Sequence, residues 1–317
     1  MTAGPTEGVR TPLTAEDAFS TLGSDIRIGI LEALGEAGGP LPFSELRSAV
    51  GVADSGQFNY HLDKLERKFV AESDAGYRLL ESGRRVVEAI YSGVLTDAPD
   101  IDRIQIDRPC RYCGAPIEVR VQPGAITSFC TSCPGTFGES TVPGSPEPAE
   151  RGYLGKMSLP PAGFNGRSAD EIYRAAQVWT HLEFLSLSNR VCPRCSARVD
   201  LDVQVCGDHD PADEGCEACG NRQPTMLEWR CTNCIFDGRG DIGILLYSHP
   251  AVQAFQVGHG EDLVAPAGSE SPLANQVQEV ASVDPFSARV TYRYDGETLT
   301  MAIDEDLTVV EVTEQRG

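Results

Sequence analysis

Asp54-Ser55-Gly56-Gln57-Phe58-Asn59-Tyr60-His61-Leu62-Asp63-Lys64-Leu65-Glu66-Arg67-Lys68-Phe69 is the stretch whose reading decides the fold of the first third of the chain. Asp54-x-x-Gln57 has the form of a capping box, which satisfies orphan amides at the start of a helix. From there Phe58, Leu62, Leu65 and Phe69 recur at i, i+4, i+7 and i+11, one apolar stripe on a helix running to about Lys68. On a helical wheel Gly56, Tyr60, Asp63, Lys64 and Arg67 fall away from that stripe, with Gln57 and Asn59 on its flanks. One face is built for a core and the other carries side chains able to recognise a partner.

The flanks complete the unit. Upstream, Thr14-x-x-Asp17 opens a short helix through Leu22, and Ser24 caps a second, with Ile26, Ile30, Leu31 and Leu34 at helical spacing. Gly38-Gly39-Pro40 ends it. Phe43 to Val50 reads as a third helix with Phe43, Leu46 and Val50 inward, and Gly51-Val52-Ala53 is a tight turn. Downstream, Val70–Ser73, a turn at Asp74-Ala75-Gly76 and Tyr77–Leu80 form a hairpin. A last helix, Ser82–Leu95, carries Val86, Val87, Ile90, Val94 and Leu95. Helix, turn, helix, hairpin, helix is the order of a winged helix-turn-helix domain, assigned to residues 1–96.

Three groups of residues carry a resemblance: Leu22-Gly23-Ser24-Asp25-Ile26-Arg27, Phe43-Ser44-Glu45-Leu46-Arg47, and Gln57 through Leu65. With them, Phe19 to Val94 resembles the ArsR-type winged helices in the variety common among halophilic archaea. The resemblance implies that the fourth helix enters the major groove of double-stranded DNA and that the wing touches the backbone. It also implies a homodimer built from the first and last helices of the domain. The candidate DNA contacts are then Ser55, Gln57, Asn59, Tyr60 and Lys64, while His61, beside the buried stripe, reads as a packed, hydrogen-bonded histidine. Arg84 and Arg85 could reach phosphate or form a solvated face. Two residue patterns depart from the family. Its arsenic-sensing members carry a thiolate pair near the recognition unit, and no cysteine precedes residue 110 here. Asp63 on the outer face repels phosphate unless it tilts away or accepts from a cytosine amine.

The chain has 317 residues and a formal charge of -21, and its only lysines are Lys64, Lys68 and Lys156. Acidity with lysine nearly absent resembles halophilic archaeal proteins; an acidic protein of a mesophile with GC-rich DNA is the alternative. Residues 1–95 carry nine basic and fourteen acidic side chains, so most of the excess acid lies beyond them. In molar salt counterion release adds little affinity, and a DNA binder leans on shape and direct hydrogen bonds. No secretory signal is evident, and the longest apolar run, Ile242 to Tyr247, is too short to span a bilayer. A soluble, cytoplasmic protein without membrane partners is expected.

Eleven cysteines in such a chain point to metal rather than disulfides. Cys110-x2-Cys113 and Cys130-x2-Cys133 bracket Ile117–Val121, Pro123-Gly124 and Ala125–Phe129, the spacing of a zinc ribbon over residues 104–138. Four thiolates give a closed tetrahedral site. Residues 139–167, with Pro143, Pro146, Pro148, Pro160 and Pro161, read as a Pro-rich linker. Ser168-x-x-Glu171 then opens a helix to about Leu187, with Ile172, Ala176, Trp179, Leu182 and Leu185 on one side.

A second cluster holds Cys192, Cys195, Cys206, His209, Cys216, Cys219, Cys231 and Cys234, eight ligands for two zinc ions. Cys195 to Cys206 and Cys219 to Cys231 are arms of near-equal length. Paired antiparallel, they place Cys192/Cys195 with Cys231/Cys234 at one end and Cys206/His209 with Cys216/Cys219 at the other. At about 3.3 Å per residue the two ions lie some tens of ångströms apart. A cross-braced pairing and a loop role for His209 are the alternatives. Three structural zinc ions per chain are expected.

Beyond the cluster, Ile242–Tyr247 reads as a strand, His249 to Phe255 as a short helix begun at Pro250, and Asp262–Leu273 as loop. Phe286–Tyr294, Glu297–Ile303 and Leu307–Val312 form a three-stranded meander with an Asp295-Gly296 hairpin signal. The fold class is thus α+β: winged helix-turn-helix, zinc ribbons, a connecting helix and a C-terminal three-stranded antiparallel meander, the last three within residues 168–317 apart from the first ribbon. No phosphate loop, nucleophile elbow or H-E-x-x-H is present, so no catalytic residue is assigned. Cys206-Gly-Asp-His209, Cys216-x2-Cys219 and His249-Pro-Ala-Val252 extend the resemblance to haloarchaeal ArsR-type regulators with a C-terminal zinc-ribbon region, which implies sequence-specific transcriptional regulation without implying an effector. The alternative is a basal factor resembling the archaeal relative of TFIIE alpha, acting through polymerase contacts.

Overall fold

The computed structural model describes residues 13–122, 125–136, 150–210, 215–263 and 276–316, and the chain divides into two compact units, Met1–Asp97 and Ala98–Gly317. Among the described residues it is a mixed α and β protein with seven α-helices and antiparallel sheets throughout. None of these helices is long and apolar enough to cross a membrane.

In the first unit, α1 (Ala15–Leu22) starts where the Thr14 hydroxyl accepts from the Asp17 amide at 3.1 Å. Helix α2 (Asp25–Ala37) stops at Gly38 and α3 (Phe43–Val50) at Gly51, both left-handed. Helix α4 (Ser55–Leu65) begins at Asp54, whose carboxylate accepts from the Gln57 amide at 2.7 Å. It ends three residues before the Lys68 expected from the apolar stripe, because Arg67 turns to φ 62° and sends the chain into the hairpin β1 (Val70–Ser73) and β2 (Gly76–Leu79). Helix α5 (Glu81–Tyr91) also closes short of the expected Leu95.

The stripe of α4 does what its spacing requires. Phe58, Leu62, Leu65 and Phe69 are buried with Ile30, Leu31, Leu34, Leu46, Val70 and Val87 in one core, and the Phe58 ring meets Phe43 edge-on at 5.2 Å. Tyr77 and Leu41 exchange backbone hydrogen bonds of 2.9 and 3.0 Å, which ties the hairpin to the segment before α3. Gly76 makes that approach feasible: its φ is +117°, and a Cβ there would lie 2.3 Å from the Leu41 carbonyl oxygen.

The second unit opens with a strand that sequence periodicity does not reveal. β3 (Ile101–Pro109) pairs with β4 (Pro116–Gln122), which pairs with β5 (Ala125–Cys130), which pairs with β6 (Tyr153–Met157). The strands β4 and β5 match the expected ribbon hairpin, whose Pro123-Gly124 turn lies outside the described residues. The stretch 139–167 is more than a linker: β6 and a 3-10 turn at Pro161–Phe164 lie in it, while Pro143, Pro146 and Pro148 fall outside the described residues. Helix α6 (Ala169–Ser188) carries a complete capping box between Ser168 and Glu171, and its Ile172 and Ala176 pack into the core of this first sheet.

A three-stranded sheet follows, β7 (Val199–Val205), β8 (Thr225–Cys231) and β9 (Asp237–Gly240), in that order. Ile242–Leu246, expected as a strand, is a 3-10 helix. The Asp241 carboxylate accepts from the Gly243 amide at 2.7 Å and starts that turn, and an all-apolar run fits a buried turn as well as a buried strand. Helix α7 (Pro250–Gly258) has its proline in the first turn. The C-terminal sheet has four strands rather than three: β10 (Gln276–Val283), β11 (Phe286–Tyr294), β12 (Glu297–Ile303) and β13 (Val309–Gln315). Most of the expected loop, residues 264–273, lies outside the described residues. Val290, Tyr292, Leu299, Met301 and Ile303 from the meander bury against Ile242, Leu246, Val252 and Phe255.

Candidate metal centres and nucleic-acid interface

Each metal centre starts from a backbone knuckle. In Cys110-Arg111-Tyr112-Cys113-Gly114 the Gly114 amide donates to the Cys110 carbonyl at 2.8 Å and the Cys110 amide to the Ala115 carbonyl at 2.7 Å. The same pair of bonds recurs at Cys192, from Ser196 and to Ala197, and at Cys216, from Gly220 and to Asn221. The residue after the second cysteine takes a left-handed φ in all three: Gly114 at 74°, Ser196 at 61° and Gly220 at 73°. Ser196 holds it without the freedom of glycine, a strain of about 1–2 kcal/mol that the surrounding bonds must offset.

These knuckles assemble three quartets: Cys110, Cys113, Cys130 and Cys133; Cys192, Cys195, Cys231 and Cys234; and Cys206, His209, Cys216 and Cys219. Within each, the four ligand atoms lie within 4.8 Å of one another. The sulfur pairs Cys110–Cys133 and Cys192–Cys234 are 3.7 Å apart, and Cys113–Cys130 and Cys195–Cys231 are 3.5 Å apart. A tetrahedron with metal–sulfur bonds of about 2.3 Å has edges of about 3.8 Å. The Cys219 sulfur is 3.5 Å from His209 Nδ1, against about 3.6 Å for a mixed sulfur–nitrogen edge. The three groups could therefore hold three metal ions, and soft thiolate-rich donors in this geometry are consistent with zinc.

The second cluster is nested. The two arms pair antiparallel from Val199 opposite Cys231 to Val205 opposite Thr225, which separates its two quartets to opposite ends of the β7–β8 ladder. The near-equal arms suggest this pairing with a cross-braced one as the alternative, and the ladder together with the three quartets is the nested arrangement.

Electrostatics set the sulfurs against each other until a cation arrives. Backbone amides donate to them: Ser132 and Cys133 to Cys130 at 3.3 Å, Asn233 and Cys234 to Cys231 at 3.4 Å, and Asp210 to Cys216 at 3.4 Å. The Ala115 amide draws the Cys113 thiol down to about 7, the Ala197 amide draws Cys195 to about 6, and the Asp210 amide draws Cys216 to about 7. Burial pushes Cys110 and Cys219 up to about 12. Each quartet thus draws one thiol towards the thiolate and pushes at least one other away from it, a conflict that a divalent ion removes by pairing with the sulfurs. Sequence reasoning missed the donors at 115, 197 and 210, and no residue type could signal them, because the donor is the backbone.

On the first unit, Ser55, Gln57, Asn59, Tyr60 and Lys64 are all exposed along α4, with Tyr60 at 56%. The Lys64 ammonium lies over the Tyr60 ring, 5.4 Å from its centre, so the two hold one another on the outer face. Asn59 donates to Asp63 at 3.1 Å, which ties up one carboxylate oxygen of the residue least suited to face phosphate. His61 is half-buried, 3.3 Å from an Arg27 guanidinium nitrogen, and burial together with that charge lowers its proton affinity. Arg85 pairs with Glu81 and Glu88 on α5.

The family model described as Domain of unknown function (DUF7351) matches residues 107–309, and that described as Domain of unknown function (DUF7347) matches residues 15–90. No curated protein and no solved structure matches the chain.

Proposed function

This chain belongs to the family of the Domain of unknown function DUF7351, and on that premise we propose that it is a sequence-specific DNA-binding transcription regulator with three structural zinc ions. The observation that carries the reading is the outer face of α4. A helix whose inner stripe is wholly committed to the core exposes Ser55, Gln57, Asn59, Tyr60 and Lys64 together, a set able to hydrogen-bond base edges and phosphates. The order of helices around it, followed by the β1–β2 hairpin and α5, is that of a winged helix-turn-helix, in which this helix lies in the major groove.

Dimerisation through α1 and α5 is supported by their exposed apolar side chains. Phe19 is 76% exposed on α1, Tyr91 at the end of α5 and Val94 just beyond it are half exposed, and Leu95 is 72% exposed. Such groups cluster where a partner surface covers them. The zinc ions serve as structural staples: all four positions of each quartet are protein ligands, which leaves no open coordination site for substrate. They contribute folding free energy to the second unit.

The test joins occupancy to substitution. Chromatin immunoprecipitation with sequencing supplies an operator, and Gln57→Ala, Tyr60→Ala and Lys64→Ala are then measured on it. Each is expected to weaken binding by about 1–3 kcal/mol for a lost base contact, with Lys64 at the lower end if it touches phosphate. Unchanged binding in all three, with unchanged circular dichroism, removes α4 from the groove. Occupancy at nearly all active promoters assigns the chain to the basal machinery instead.

A further inference from the structure

A cleft of about 2260 Å³ opens within residues 98–317. The chain has nine tyrosines, and all six that lie beyond residue 97 line this cleft: Tyr112, Tyr153, Tyr173, Tyr247, Tyr292 and Tyr294. They come from the first knuckle, β6, α6, the end of the 3-10 helix and β11, so it is the fold that gathers them. A tyrosine pairs an apolar ring with a polar tip, and a buried tip normally finds a partner. Among the described residues the Tyr247 and Tyr292 hydroxyls have none. Thr180 Oγ1, His181 Nε2, Trp229 Nε1 and Gln276 Oε1, on residues of the same lining, are buried and unpaired as well. Tyr247 and Tyr292 both sense the Asp241 carboxylate, and the Tyr247 ring lies 5.2 Å from that of His181, next to Thr180, so these groups share one corner. Buried polar groups are nearly always paired, and a concentration of exceptions at one wall points to a missing partner.

The missing partner is uncharged. Seven basic and eight acidic side chains line the cleft, a near balance in a chain of formal charge -21. Arg194 pairs with Glu183 and Arg239 with Glu228, each at 2.7 Å, and Arg111 is electrostatically coupled to Asp241. An ionic ligand would upset that balance and bury a charge without a match. The unpaired atoms are of mixed kind. Gln276 donates its amide nitrogen to Asp241 at 2.7 Å, so its Oε1 can only accept. His181 Nδ1 lies 2.9 Å from the Gln177 carbonyl and must carry the ring proton there; burial keeps the ring neutral, and Nε2 accepts. Trp229 Nε1 only donates, while Thr180 and the tyrosines do both. The one group that answers all of these is a hydroxyl. The ligand body is not flat either. His181, Phe184 and Tyr247 are tilted by 59°, 52° and 69° in their three pairings, so no two of them form a slot for a planar ring.

We propose that this cleft binds an uncharged sugar, its hydroxyls meeting Thr180, His181, Tyr247 and Tyr292 and its C–H faces lying against the tilted rings. A saturated ring carries hydroxyls and C–H groups in several directions, which suits walls that face several ways. Thr180 turns its hydroxyl to the ligand by exchanging between the two χ1 wells open to a threonine in a helix. The cleft exceeds the about 300–1,000 Å³ of an ordinary small-molecule pocket, which leaves room for more than one sugar ring. Every lining residue lies beyond residue 97, so the site stands whether or not the first unit binds DNA.

The experiment titrates the full, metal-loaded chain with glucose, mannose, galactose, maltose and trehalose, alongside glycerol and benzoate. At least one of these sugars is expected to bind with a Kd of about 1 mM or tighter. Glycerol, which lacks the ring, and benzoate, which brings a planar body and an unmatched charge, are expected to bind at least about tenfold more weakly. Trp179→Phe leaves Trp229 as the only tryptophan, and Trp229 packs in one cluster with Phe184 and Tyr247, so its emission is expected to change as the sugar binds. Thr180→Val and Tyr292→Phe separate ligand binding from structure. Each deletes an unpaired polar atom, so the ligand-free melting temperature holds or rises while sugar affinity falls by about three- to tenfold. No binding of any of these sugars at about 10 mM, a level far weaker than ordinary ligand affinities, overturns the proposal. So does benzoate or glycerol binding as tightly as the best sugar, or a sugar that binds without changing Trp229 emission and with undiminished affinity for the Val and Phe variants.

Discussion

Replacing Cys206 and Cys219 together by Ser removes two ligands from one centre and none from the other two. The β7–β8 ladder keeps that centre away from the Cys192 quartet: seven register pairs, Val199 with Cys231 through Val205 with Thr225, lie between them. At about 3.3 Å per residue this is roughly 20 Å, too far for the remaining His209 and Cys216 to borrow a sulfur from the other end. A complete structural zinc site binds with about 10–16 kcal/mol, and two remaining ligands retain too little of this to hold the ion against a chelator. Metal content is therefore expected to fall from three ions to two. The fold should pay unequally at the two ends. Cys192 and Cys231 are part of a core with Leu187, Val199, Leu227 and Ile244, while no ligand of the Cys206 quartet belongs to that core. Cys192→Ser with Cys231→Ser is thus expected to lower the melting temperature of the second unit far more than the Cys206/Cys219 pair does. Elemental analysis after dialysis against a chelator and melting by circular dichroism read both quantities. A Cys206/Cys219 variant that holds one ion or none, or equal melting losses from the two pairs, refutes the nested arrangement.

Two further outcomes follow from the first unit. Stripping the metals under reducing conditions is expected to expose residues 98–317 to protease while leaving a resistant fragment close to residues 13–97, because its core contains no cysteine; digestion of both parts at the same rate would contradict this. Gly83→Ala is expected to destabilise the unit by about 1–3 kcal/mol, since its Cβ would lie 2.3 Å from the Phe69 carbonyl oxygen. Gly39→Ala, in open space, is expected to be neutral or slightly stabilising in the same melts.

Strong local signals made part of this architecture legible. The stripe of α4 and the caps at Thr14, Asp54 and Ser168 are written in adjacent residues, and the three quartets in repeated C-x-x-C spacing. What failed to show has physical reasons. In β3 the apolar residues Ile101, Ile104 and Ile106 break the two-residue period because the strand bulges between Ile101 and Ile104. β6 hides in a Pro- and Gly-rich stretch, and as an edge strand it needs only one partner, β5. β10 does alternate, Val277 exposed and Gln278 buried, but with the polar residue inward, where Gln278 donates to Asp241.

The ladder between the two outer centres also restricts how this protein can change. With a ligand pair at each end of both arms, neither strand can gain a residue alone: every side chain beyond the insertion would switch faces, and one quartet would lose its register. Two residues added to one arm would leave a bulge that pulls the ligands apart. Only matched steps of two, taken in both arms, keep four sulfurs at one end and three sulfurs and a ring nitrogen at the other. Members of this family should therefore show the Cys195–Cys206 and Cys219–Cys231 intervals lengthening or shortening together, in even increments, while the segment between Cys206 and Cys219 varies independently of both.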